Sequence, residues 1–566
     1  MGLIDTDGLN FGTGLSWLTG GIGQGGLIIT SSTSGAALFL AEWGPYGMAM
    51  DFTDASIAID GSTGVLDYNS QGTVSSTGAL LGPGSKLTYS APSLKFTEQA
   101  DGYIAGQAHN LYLNSAAPAN QSITVISGAT YAVTITGSVS VTASGAATGT
   151  WTVGTNTFTA ATGTLTLGST SGSGTVHVRR TPSVSTYVAT TGAVVYDLPY
   201  VFSGGVRTGI QVEPAATNLT INNTTTSNYG GAQASVSNVT ISNPISGLTT
   251  MIGLTDNVNN VNHGLYNNAV NTVSATDYAI SAIVKAGARN YAGIGISVDS
   301  NNYICAVFDL STGTFGQTSV GGTSGTIAGS GTAYGIVPLA NDCYRIWIAG
   351  KVTGVGTPHV WAANAATGNS FGSLGGPTYA GNTTVAIYTT AIQVETGTVA
   401  TSPIITYGAA VTRAADAISI AKTLFPYDAT AGTLYTHHTN PNSVANASAA
   451  ILVQVASAGS YRVGHYISGG TSNALISTDA SVLQAFQIAS GSAGVPQKFA
   501  GAFATNSFNA AANGTIAGAD DTSGSVPTVD TLRIGQQSTI YLSGLVKAVA
   551  LFPERKANAT LEAMTA

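Results

Sequence analysis

Between Gly102 and Val178 the chain carries no Asp, Glu, Lys or Arg. The heart of that stretch, "YAVTITGSVSVTASGAATGTWTVGTNTFTAATGTLTLGSTSGSG" (Tyr131–Gly174), is built from Thr, Ser, Gly, Ala and Val. Thr and Val are β-branched and suit a pleated, half-buried surface. Alternation places Tyr131, Val133 and Ile135 on one face of a strand and Thr134 and Thr136 on the other. Thr serves the outer face without charge, helped modestly by Thr–Thr pairs across strands. The stretch therefore reads as a compact meander of short antiparallel strands, punctuated by Gly.

The rest of the chain extends the pattern. Only 7% of its 566 residues are charged, against about 25% in ordinary soluble domains. With 43% apolar residues and 72 Gly, cores can be built and turns are plentiful, and the composition is not a disordered one. The expected class is all-β: several antiparallel β-sandwich or jelly-roll modules in tandem, with one short C-terminal helix at "NATLEAM" capped by Asn558. Five segments are expected: 1–50, an anchoring or oligomerisation segment; 51–120, a β lead-in; 121–216, a small β meander or sandwich; 217–416, a jelly-roll sandwich; 417–566, a second large sandwich. Within 217–416, "CYRIWIAGKV" puts Tyr344, Ile346 and Ile348 on one face; Trp347 is read as core. An Asn513-Gly514 hairpin turn is expected in the last segment.

Composition also excludes functions. Net charge is −8, and the 17 Lys and Arg form no block, which argues against nucleic acid. No apolar run approaches a membrane helix. "MGLIDTDGLNFGTG" has no basic start and no apolar core, so export through a signal peptide is not expected. Cys305 and Cys343 lie in strand-like contexts and read as buried free thiols. "GIGQGG" (Gly21–Gly26) matches a dinucleotide fingerprint but is followed by a strand-like "LIITSS" where a helix is required, so it reads as coincidence.

Candidate chemistry is sparse. There is no nucleophile elbow, phosphate loop or metal-ligand motif, and acids are too few to nominate a glycosidase pair; catalysis is not expected. His437-His438 cannot place both rings on one strand face. Asp520, Asp521 and Asp530 are weak calcium candidates, set against a solvated acidic turn; no cofactor is required. Trp361 and Tyr379 sit in Gly- and Asn-rich, loop-like surroundings and are the candidate sugar-contacting aromatics. Glu213 and Glu395 recur in the same "QVE" setting after strands, and that repetition looks structural.

Several segments resemble one family. "GIQVEPAATNL" (Gly209–Leu219) and "AIQVETGTVATSPIITYGAAVTRAADAISI" (Ala391–Ile420) resemble segments that open and close β-sandwich modules in tailed-phage surface proteins. "SGSVPTVDTLRIGQQ" (Ser523–Gln537), with the "LVKAVALFPERKANATLEAMT" that follows, resembles the end of a concanavalin A-like or laminin-G-like domain. The Gln121–Val178 meander, preceded by "AHNLYLNS" (Ala108–Ser115), resembles a head spike fibre domain. The resemblance implies a structural protein at a virion surface, a fibre, spike or decoration on head or tail. It further implies a homo-oligomer, by analogy a trimer, in contact with other virion proteins and with host cell-surface polysaccharide. The family has no catalytic motif, and its shared acids fall on Glu213 and Glu395, where a carboxylate at a module junction caps loop amides. The meander stands here before "QVEPAATNL" rather than only after it, a departure from the family pattern. The alternative is a tail-spike-type polysaccharide depolymerase.

Overall fold

The computed structural model describes residues 42, 48–53, 56–59, 62–65, 87–89 and 93–566, except 170–171, 191, 323–324, 329–332, 373, 440–449, 457–461, 469–471, 480–481, 490–494 and 538–539. Almost all of the expected anchoring segment, with Gly21–Gly26, lies outside the described residues.

The uncharged stretch forms a small sandwich. One sheet runs in the order Gly149–Trp151, Val141–Gly145, Thr164–Ser169, Gln121–Thr124; the other runs Gly154–Thr159, Thr130–Ile135, Val176–Arg180. Tyr131, Val133, Ile135, Val141, Leu165 and Leu167 enter one apolar core. Outside, hydroxyls meet across strands: Thr134 and Thr155 at 2.9 Å, Thr136 and Thr175 at 2.7 Å. Paired strands with mutually bonded hydroxyls give a wet face without ions.

The central sandwich lies within 229–396. Its seven-stranded sheet follows Ala234–Thr240, Thr250–Asp256, Val385–Thr396, Tyr278–Ala286, Cys343–Lys351, Thr326–Ile327, with Tyr334–Leu339 also on Cys343–Lys351. The six-stranded partner follows Tyr229–Ala232, Gly264–Asn267, Thr357–Ala363, Tyr291–Asp299, Asn302–Asp309, Thr314–Val320. Ile280, Val284, Ile294, Ile296 and Ile346 fill the space between them. The strand Tyr278–Ala286 is also buried on its outer face, where Ile283 packs with Leu94, Phe96, Met251 and Cys343.

The C-terminal sandwich recruits strands from far upstream. Its larger sheet is centred on Gly544–Phe552, which pairs with Ala431–Thr439, with Met48–Asp51 and with Val206–Val212. The facing sheet includes Leu87–Tyr89 beside Ile418–Ala421. Strand pairing therefore crosses the boundaries expected at 121, 217 and 417. Residues 93–110, 182–190, 192–199, 213–223 and 400–416 run between the three sandwiches, through short pairs such as Ala216–Asn218 with Val411–Arg413.

The only α-helix of four or more residues among those described is Asn558–Thr565. Ala557, not Asn558, occupies its N-cap, because the Asn558 side chain is engaged elsewhere: its Nδ2 donates to Asp520 Oδ1 at 2.8 Å. Asn513 and Gly514 both take positive φ in a tight turn between Ser507–Ala512 and Thr515–Ile516, as their identities require. Cys305 and Cys343 are buried free thiols.

Candidate functional site

The three sandwiches meet over a cluster of buried ions. Lys95, Glu213, Arg413 and Asp416 are each 2% exposed or less. Three of the four are placed by strands, and Asp416 by the loop that follows Arg413. Lys95 alternates with Leu94 and Phe96, which face the apolar side. Glu213 directly follows the strand Val206–Val212, and Arg413 ends a strand opposite Ala216. The Lys95 ammonium donates to Asp416 and to the Gln211 carbonyl (2.9 Å) and lies 3.3 Å from Glu213 Oε2. Arg413 Nη2 lies 3.1 Å from Glu213 Oε2. The Tyr89 hydroxyl donates to Asp416 Oδ1 at 2.6 Å, and the Glu213 amide donates to Asp416 Oδ2 at 2.8 Å.

Two cations and two anions cancel in this cluster. Buried ions are tolerated only when paired and hydrogen-bonded to this degree. Burial alone would push the Glu213 carboxyl up, but Lys95, Arg413 and the bonds from Ser402 outweigh it and hold it at about 2. Burial opposes the charge on Arg413 too, yet Glu213 and Asp416 raise its pKa.

The repeated "QVE" is a repeated device. In each copy Gln and Glu share a strand face, two residues apart, and the amide donates to the carboxylate: Gln211 to Glu213 at 3.3 Å, Gln393 to Glu395 at 2.7 Å. Each carboxylate then clamps one of two consecutive residues. Glu395 accepts the amide (2.8 Å) and hydroxyl (2.6 Å) of Thr401. Glu213 accepts the amide (2.8 Å) and hydroxyl (2.7 Å) of Ser402. Both acids are committed to holding one connecting segment. Arg345 adds a bond from Nη2 to the Thr401 carbonyl and another to Ser281 Oγ at 3.0 Å.

Beside this cluster, where the outer face of the seven-stranded sheet meets the C-terminal sandwich, opens a cleft of about 310 Å³. Val337, Leu339, Arg345 and Trp347 form one wall, Phe96, Glu98 and Ile104 another; Thr439, Ser543 and Leu545 come from the C-terminal sandwich. The volume lies in the range of small-molecule sites, and a mostly apolar wall with a few polar groups is their usual character. Trp347 was read as core, but it is half-buried and points to the outer face. Its ring rests on Gly335, directly across the strand pair, where an added Cβ would lie 2.1 Å from Cζ2. Burial raises the pKa of the Glu98 carboxyl on the facing wall.

The aromatics expected to contact sugar lie elsewhere. Trp361 is 1% exposed in the strand Thr357–Ala363, and Tyr379 is 5% exposed in Thr378–Ala380. The Trp361 ring packs on Gly264, at the start of a neighbouring strand, and on Gly376, in the Gly-rich run before Tyr379. His359 stacks on that ring at 4.4 Å, and Arg289 lies 4.7 Å over the Tyr379 ring. Neither offers a free face.

The calcium candidates do not converge. Asp520 is taken up by Arg555 (2.5 Å), Asn509 (2.8 Å) and Asn558 (2.8 Å), and Asp521 accepts from Ser523 at 2.8 Å; Asp530 is exposed. Donors already occupy both carboxylate oxygens of Asp520. Among the described residues no group of three or more His, Cys, Asp or Glu is placed to hold a metal. His437 and His438 straddle a register shift against Gly544–Phe552, and both are buried.

No family model matches the chain, and no curated protein matches it. Among solved structures it is similar to the CBM40 of the Ruminococcus gnavus IT-sialidase bound to α2,3-sialyllactose (15% identity, TM-score 0.22, 25% of this chain and 84% of that one). It is similar also to domains LG4-5 of the mouse laminin α1 chain (9% identity, TM-score 0.18, 62% and 91%). A third is the SAP-like pentraxin of Limulus polyphemus (12% identity, TM-score 0.20, 24% and 69%). Similarities this slight carry nothing about function.

Proposed function

We propose that this chain is a non-catalytic structural and adhesive protein of a phage or phage-like virion surface, and that the cleft beside Trp347 takes a saccharide. The virion assignment rests on the sequence resemblance of its module-junction segments. The adhesive assignment rests on one observation: a concave site between two sandwiches, with a Trp ring backed by glycine and carboxyl and hydroxyl groups on the facing walls. Aromatic faces with nearby polar groups are what a sugar ring requires. The ion cluster beneath holds the walls at a fixed spacing, so little ordering remains to be done on binding.

The test is a glycan array on the full chain, followed by calorimetry with the best oligosaccharide. Trp347→Ala is expected to weaken binding about tenfold, equivalent to about 1.4 kcal/mol. Absence of any glycan signal, or affinity indifferent to Trp347, contradicts the reading.

One observation favours the depolymerase alternative. Two acids line the cleft with pKa values moved apart, Glu98 upward and Glu213 down to about 2, as acid and carboxylate partners are in glycosidases. Against it, the Glu213 oxygens are bound to Lys95, Arg413, Gln211 and Ser402. Release of reducing ends from host capsule by the wild-type chain, abolished by Glu98→Gln, would replace the adhesive reading with the enzymatic one.

A further inference from the structure

A second cavity, of about 200 Å³, lies on another side of the ion cluster, between the small sandwich and the connecting segments. Arg180 and Arg413 are both in its wall, and no Asp or Glu is. In a chain with 17 Lys and Arg and a net charge of −8, two guanidiniums in one acid-free cavity are conspicuous.

Arg413 is 1% exposed, and its Nε and Nη1 have no hydrogen-bond partner among the described residues. Its Nη2 is committed to Glu213 and to the Pro214 carbonyl; Nη1 reaches Asp416 only at 3.9 Å. Arg180 forms no ion pair among the described residues. Those two Arg413 atoms are closed to solvent, so Arg413 lends the cavity wall its charge, while the half-buried Arg180 guanidinium supplies the donors a ligand can reach.

The remaining wall indicates what kind of anion. The Tyr131 hydroxyl accepts the Ile126 amide at 2.9 Å, which leaves its proton free to donate. Tyr196 is stacked flat on His109, and Thr124 and Thr412 add hydroxyls. Aromatic surface and hydroxyls together suit a sugar ring more than a bare ion. The charge sets the valence: Glu213 and Asp416 offset Lys95 and Arg413, so Arg180 contributes one net positive charge. A monoanion matches that field, whereas a dianion would bring excess negative charge toward Glu213 and Asp416.

We propose that this cavity, walled by Arg180 and Arg413, binds the carboxylate of an acidic monosaccharide, a hexuronic acid free or at the end of a glycan. The site is separate from the cleft beside Trp347 and does not depend on the function proposed for it.

The experiment uses the full chain with D-glucuronate, D-glucose, acetate and inorganic phosphate as separate arms, followed by saturation-transfer NMR and calorimetry. Glucuronate is expected to bind, glucose not at all, and acetate and phosphate more weakly than glucuronate. Arg180→Gln is expected to weaken glucuronate about tenfold, the usual scale for a lost charge-assisted pair, without changing the melting temperature. If Arg180→Gln does not fold, Arg180→Lys, which keeps the charge and loses the fork, should weaken binding severalfold. The proposal is overturned if glucuronate does not bind at millimolar concentration, if loss of the Arg180 guanidinium leaves its affinity unchanged, or if acetate or phosphate binds as tightly.

Discussion

The small sandwich and the junction solve the same problem in opposite ways. From Gly102 to Val178 the chain uses no charged residue, and the sandwich there holds together through an apolar core and surface hydroxyl pairs such as Thr134–Thr155. At the junction, four of the chain's scarce charges are withdrawn from water and set against one another. Hydrophobic packing is non-directional and tolerates small displacements, whereas a buried ion cluster is satisfied in one arrangement only. The difference shows where geometry has to be fixed: at the meeting of the sandwiches, beside the cleft, rather than inside each sandwich.

The contrast breaks most sharply at Glu213. Glu213→Gln leaves Lys95 and Arg413 with Asp416 alone, and the expected loss is about 3–5 kcal/mol in chemical denaturation, the scale for an uncompensated buried charge. A loss below about 1 kcal/mol would place the cluster among surface-type ion pairs.

Acid is the next lever. Burial holds His109, His437 and His438 down at about 3 and His359 at about 4. Their folded-state values lie below the unfolded 6.5, so their contribution is complete above about pH 6.5. It is lost as pH falls toward 3, at about 1.4 kcal/mol per pH unit per ring. Glu213, depressed from 4.5 to about 2, adds a further loss across that lower window. The small sandwich carries one such ring, His177. Melting temperature against pH is expected to be flat above neutrality and to fall below pH 6.5, with the small sandwich the last to melt.

The smallest effect belongs to the hydroxyl pairs. Thr134→Ala is expected to cost less than about 1 kcal/mol, because a cross-strand pair contributes about that much or less. Added salt should leave the small sandwich unmoved, since it has few ions to screen.

These regions differed as much in the sequence as they do in energetics. Alternation alone brought Tyr131, Val133 and Ile135 into one core, and the repeated "QVE" marked Glu213 and Glu395 as a structural pair. The ion cluster left no local trace: Lys95 and Asp416 are joined across 321 positions of chain, and lone charges in strands look alike wherever they end up. Trp361 was misplaced because the glycines that make room for its ring resemble turn signals. Trp347 was within reach of the sequence, since the alternation that sends Ile346 and Ile348 inward sends it to the opposite face. Its exposure depended on Gly335, a cross-strand partner that periodicity does not identify.

Hydrogen exchange on the intact chain tests the central claim, that the segments between the sandwiches form a fixed core and not a set of linkers. Amides around Lys95, Glu213 and 400–416 are expected to exchange as slowly as those of the strand Tyr278–Ala286. Exchange at those amides within seconds, while Tyr278–Ala286 stays protected, would contradict it.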